Sequence, residues 1–120
     1  MTEATPAEAM KAELRRDLVA AMKRGDKAEM ALLRQLVAAL DNAEAVPVAE
    51  EQASAIPLPF GSDTTETRRR HLTEEDIRAL LRWEIDARTE AVAEFTRLGV
   101  EPRAVALGAE VELIGRYVRS

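Results

Sequence analysis

The sequence predicts an all-α chain, an antiparallel up-and-down four-helix bundle with a long connection between the second and third helices. Apolar residues recur at three- and four-residue spacing in four separate stretches, the signature of helices with one buried face. Aromatic residues make up only 3% of the chain and there are five glycines and five prolines, so the residue types that build and punctuate sheets are scarce. Helix-start signals, a Thr or Asp followed three residues later by Asp or Glu, stand at Thr5, Asp26 and Thr73. At 120 residues the chain is sized for one domain. Alanine supplies 22 of its apolar residues, so the core falls to 13 leucines, nine valines and a handful of larger side chains.

The first helix is expected over about 6–24. Thr5-Pro6-Ala7-Glu8 offers an N-cap hydroxyl, a proline at the first helical position and a glutamate to complete a capping box. Met10, Leu14, Leu18 and Met22 form its inner stripe, and Gly25 is placed to end it in the left-handed conformation. Asp26 and Glu29 start a second helix over about 26–44, so the two make a tight antiparallel hairpin. Its inner face is Met30, Leu33, Leu36, Val37 and Leu40.

From 45 to 72 the helical pattern stops. Pro47, Pro57, Pro59 and Gly61 are followed by a polar run and by Arg68-Arg69-Arg70-His71. A connection this long is either functional or mobile, and the reading is a mobile one, with Ile56, Leu58 and Phe60 as its anchors on the bundle. The third helix is expected over about 73–98. Thr73 with Asp76 makes its cap, and Leu72 with Ile77 has the spacing of a hydrophobic staple. Gly99 stops it, and Pro102 begins a fourth over about 102–118 with Ala106, Leu113, Ile114 and Tyr117 inward. No internal repeat is visible.

The informative feature is charge on apolar faces. Projected at 100° per residue, the third helix places Ile77, Leu81, Val92 and Phe95 together, and Glu84 and Arg88 fall in the middle of that face. They stand four residues apart with the glutamate first, the orientation that pairs well. Glu44 lies on the stripe of the second helix with Arg34 at its edge, and Glu110 lies between Ala106 and Leu113 on the fourth. Unpaired buried charge costs several kcal/mol. The expectation is therefore an ion-pair network of Arg34, Glu44, Glu84, Arg88 and Glu110 joining helices two, three and four. Such a network either fixes helix register or forms a ligand or partner site.

Several function classes are unsupported by the residues present. There is no cysteine, hence no thiol nucleophile, thiolate metal site or disulfide. Inward carboxylates suit di-iron bundles, but those need two Glu-x-x-His pairs, and the single histidine, His71, lies in the connection. No catalytic, cofactor-binding or metal-binding residue is assigned. No apolar run spans a bilayer, and the opening MTEATPAEAM lacks a basic and then apolar leader, so a cytoplasmic protein without a membrane partner is expected. The net charge of −5 is spread over both halves. Arg68, Arg69 and Arg70 are the candidate nucleic-acid contact, against the alternative of a solvated helix approach. Trp83 projects to the margin of the third helix's apolar face, a core-edge position that could also mark a partner surface.

The hairpin AMKRGDKAEMALLRQLVAALDNAEA, the stretch LTEEDIRALLRWEIDARTEAVAEFTRLG and the block AEVELIGRYV resemble, in order and spacing, the amino-terminal domain of the YqeY-like (GatB/YqeY) family. That family is related to the tail of the B subunit of the glutamine-dependent aspartyl/glutamyl-tRNA amidotransferase. Leu33-Arg34, Asn42-Ala43-Glu44, the Leu72-Thr73 cap, Glu84, Arg88, Glu90, Phe95 and Ala109-Glu110 carry the likeness. The resemblance implies a four-helix accessory module without catalytic residues of its own. It also implies a link to tRNA or to an aminoacyl-tRNA amidotransferase complex, a carbon–nitrogen ligase with glutamine as amido donor. Two departures are read from the sequence: the family's small second helical domain is expected to be absent, and the 45–72 connection is longer and richer in proline. The alternative is a protein-interaction or structural domain with no RNA role.

Overall fold

The computed structural model describes residues 3–45 and 70–119. The described residues form four helices and no strand: α1 Pro6–Arg24, α2 Lys27–Ala45, α3 Glu74–Arg97 and α4 Glu101–Arg119. Each lies within a residue or so of its expected position, the ordinary uncertainty at helix ends.

The ends follow from local chemistry. At Thr5 the hydroxyl accepts from the Glu8 N–H at 3.1 Å while the Glu8 carboxylate accepts from the Thr5 N–H, closing a full capping box before Pro6. Gly25 then takes φ 72°, a left-handed value natural to glycine, and its N–H donates to the Ala21 and Met22 carbonyls. Asp26 caps α2 by accepting from the Glu29 N–H at 3.0 Å. Thr73 and Asp76 repeat the capping box ahead of α3, with both bonds at 3.0 Å. These bonds hold the exposed Asp76 carboxyl below its usual pKa, the Thr73 N–H first and its hydroxyl second.

Packing is densest within the two hairpins, α1 with α2 and α3 with α4, and α1 then lies against α3. The central core is leucine-rich: Leu14 from α1, Leu33, Leu36 and Leu40 from α2, Leu81 from α3 and Ile114 from α4 are fully buried. Leu72 is buried just ahead of α3, and Tyr117 closes the same core from α4. Glu44 near the end of α2 accepts at its main-chain carbonyl from the Arg70 N–H at 2.8 Å. The end of α2 and the approach to α3 therefore meet at one point. The expected mobility and anchoring of this connection concern residues 46–69, which lie outside the described residues. At its margins the expected loop is shorter, because Ala45 belongs to α2 and Leu72 is seated in the core.

Three inward assignments need correction. Met22 on α1 is 50% exposed, and the buried stripe is instead Ala7, Lys11, Leu14 and Ala21. Ala106 on α4 is exposed, while Ala104 and Leu107 are buried. The inward row Ala104, Leu107, Val111, Ile114, Val118 alternates three- and four-residue steps, and Ala106 falls outside it. Trp83, expected at the core edge, is 67% exposed.

Candidate functional site

Arg88 sits two-thirds of the way along α3 with its side chain only 14% exposed. Its Nε donates to Glu110 Oε1 on α4 at 2.7 Å, and one terminal nitrogen donates to Glu84 Oε1 at 2.7 Å and to the Glu84 carbonyl at 3.0 Å. The other terminal nitrogen reaches Gln35 Oε1 on α2 at 3.2 Å. One planar guanidinium thus ties three helices, a geometry that its fixed fork of donors allows and a lysine would not. Burial alone would lower the Arg88 pKa, but the bonds to Glu110 and Glu84 outweigh it and raise it, so the group stays cationic.

A second cluster lies at the C-terminal end of α2. Lys11 Nζ donates to Asp41 Oδ1 at 2.8 Å and to Glu44 Oε1 at 2.7 Å, with the Lys11 and Glu44 side chains each 11% exposed. Hydrogen bonds from Asp41 and then Glu44 raise the lysine pKa against the opposing effect of burial. The Tyr117 hydroxyl of α4 donates to Asp17 Oδ2 of α1 at 2.5 Å. Burial, reinforced by that carboxylate, pushes the phenol pKa up.

The predicted network is therefore divided. Glu84, Arg88 and Glu110 come together. Glu44 faces inward but joins Lys11 and Asp41, and Arg34 is exposed and joins neither cluster. Gln35 and Lys11 were not singled out in the sequence. Lys11 had a visible signal, since it stands three residues before Leu14 and seven before Leu18, on the same stripe. Gln35 had none, because it lies next to exposed Arg34 and reaches Arg88 only through the length of two side chains.

Outside these clusters the surface offers a shallow groove of about 640 Å³ between the end of α2 and the start of α3. Ala39 and Ala43 line one wall, Ala79 and Leu80 the other, with Arg70 and Trp83 at the rim. The groove exists because alanines stand where larger side chains would meet. Arg70 is exposed there, whereas Arg68 and Arg69 lie outside the described residues. Among the described residues no group of three His, Cys, Asp or Glu is arranged to hold a metal ion, and no helix is long and apolar enough to cross a membrane. Comparison of the chain with protein-family models, with curated proteins and with solved structures returns no match.

Proposed function

We propose that the chain is a non-catalytic helical accessory module of the YqeY type, acting beside tRNA or an aminoacyl-tRNA amidotransferase complex. The observation that carries the non-catalytic part is the engagement of Arg88. Four hydrogen bonds to Glu84, Glu110 and Gln35 occupy it from within the chain, so its charge is spent on joining helices rather than held ready for a substrate. Glu84, Arg88 and Glu110, three of the residues that carry the family resemblance, are the ones that meet there. On this reading the working parts are Arg70, which is exposed, and the arginines before it in the sequence, which would supply phosphate contacts.

The test is a titration of labelled tRNA at about 50 and 200 mM salt with wild type and with a variant carrying alanine at Arg68, Arg69 and Arg70. Contact with phosphates should weaken steeply over that range and be lost in the variant. No binding at the lower salt would contradict the RNA part and leave the second reading, a protein-interaction domain without an RNA role. The exposure of Trp83 beside an alanine-lined groove favours that second reading, because tryptophan is enriched among the residues that anchor protein interfaces.

A further inference from the structure

The outer face of α3 carries a pattern that its own fold does not use. Arg78, Arg82, Asp86 and Glu90 follow one another at four-residue steps, all four are exposed, and none makes an ion pair with another described residue. Within a single helix this order is unfavourable. Arg78 and Arg82 are like charges one turn apart, Asp86 and Glu90 are another such pair, and Arg82 precedes Asp86 in the weaker orientation for an intrahelical pair. The positive half also points toward the N-terminal end of the helix and the negative half toward the C-terminal end, against the helix dipole.

The same order is self-complementary when reversed. A second α3 laid antiparallel, with the twofold axis at the level of Glu84, sets Arg82 opposite Asp86 of the other copy and Arg78 opposite its Glu90, and the symmetry repeats both pairs. The four positions span roughly 18 Å of helix. Trp83 stands one residue from that axis and is 67% exposed. Ala79 and Ala87, one turn to either side of it, are exposed too.

We infer that α3 is a self-association surface, and that a second copy of this chain docks antiparallel on it through the Arg78–Glu90 and Arg82–Asp86 pairs, with the two Trp83 side chains along one edge of the contact. This deepens the protein-interaction reading by naming the partner, and it rests on the α3 surface alone. The tRNA titration tests the other reading, so the two fail separately.

Sedimentation velocity of the full chain over a range of concentrations tests it, with far-UV circular dichroism to show that each variant keeps its helices. Wild type should move from the 13.2 kDa monomer to twice that mass as concentration rises. Its single tryptophan should shift to bluer emission over the same range. Trp83→Ala should weaken association about 30-fold. The all-basic pair Asp86→Arg with Glu90→Arg, and the all-acidic pair Arg78→Glu with Arg82→Glu, should each weaken it on the order of 100-fold by placing like charges together. Mixed in equal amounts, these two variants should recover the dimer mass. Wild type that remains monomeric throughout, a dimer indifferent to the charge reversals, or a mixture that fails to recover would each overturn the proposal.

Discussion

Lys11 and Arg88 are the two cations that the described bundle turns inward, every other described lysine and arginine being exposed, and they hold it in different ways. Lys11 joins two neighbouring helices at the end of the bundle, where α1 begins and α2 finishes, and both its acidic partners come from one turn of α2. Arg88 sits mid-length and takes partners from α2, its own helix and α4. The difference is one of donor geometry. An ammonium is a compact point charge that suits two carboxylates close together, whereas a guanidinium spreads its donors across a plane and can meet acceptors arriving from different elements. The hairpins α1–α2 and α3–α4 are each closed by short turns; Lys11 fastens the first, and Arg88 fastens the second while also reaching across to Gln35 of the first.

The largest expected effect follows from that contrast. Arg88→Ala should destabilise by about 3 kcal/mol, because it leaves Glu84 and Glu110 half-buried and without their cation. Arg88→Lys should recover only part of the loss, since an ammonium cannot reproduce bonds to three helices. Urea melts measure both. Lys11→Met keeps the length of the stem and removes only the charge, and should cost about 2 kcal/mol. A loss at Lys11 larger than at Arg88 would reverse the ranking and place the main fastening at the end of the bundle.

The pH dependence sharpens the comparison at the alkaline side. Lys11 and Tyr117 both have folded pKa values above their ordinary ones, the first through hydrogen bonds to Asp41 and Glu44 and the second mainly through burial. Groups raised in the folded state contribute stability that is complete below the unfolded pKa, about 10 for each, and is lost as pH rises through the folded value. The urea midpoint should therefore fall above about pH 10. Lys11→Met and Tyr117→Phe should each flatten part of that fall. Tyr117→Phe should also cost about 1 kcal/mol at neutral pH through the lost bond to Asp17.

Smaller effects lie at the helix ends and the surface. Thr73→Ala opens the capping box of α3 and should cost about 1 kcal/mol in urea melts. Asp76 has a lowered pKa, so its contribution is present above the ordinary carboxylate range and lost as pH falls through the folded value. Thr73→Ala should weaken that acid dependence. Arg34→Ala, on an exposed residue that belongs to neither cluster, should stay within about 0.5 kcal/mol of wild type.

The helices were legible because their signals are local. Thr5 with Glu8, Thr73 with Asp76, and Gly25 each act within a few residues, and the leucines of α2 repeat too regularly to phase any other way. The inward charges on α3 were legible for the same reason. Their partners were only half so, because a helical projection shows which way Glu44 points but not whether α1 or α3 lies opposite. Lys11 is not legible in the stripe Met10, Leu14, Leu18 and Met22, because four-residue steps follow one row of α1 and Lys11 lies on the adjacent buried row with Ala7, Leu14 and Ala21. Trp83 was misplaced because the margin of an apolar face is buried or open according to the size of the residues across from it, and here these are alanines.

The central claim is that Arg88 joins α3 to α4 by a bond that stabilises the bundle, and a double-mutant cycle on Arg88 and Glu110 tests it most directly. Urea melts of wild type, Arg88→Ala, Glu110→Ala and the double variant isolate the interaction between a residue of α3 and one of α4 separated by 2.7 Å. A partly buried, charge-assisted pair should give a coupling energy of about 2 kcal/mol. A coupling below about 0.5 kcal/mol, the value of a pair in water, would contradict it.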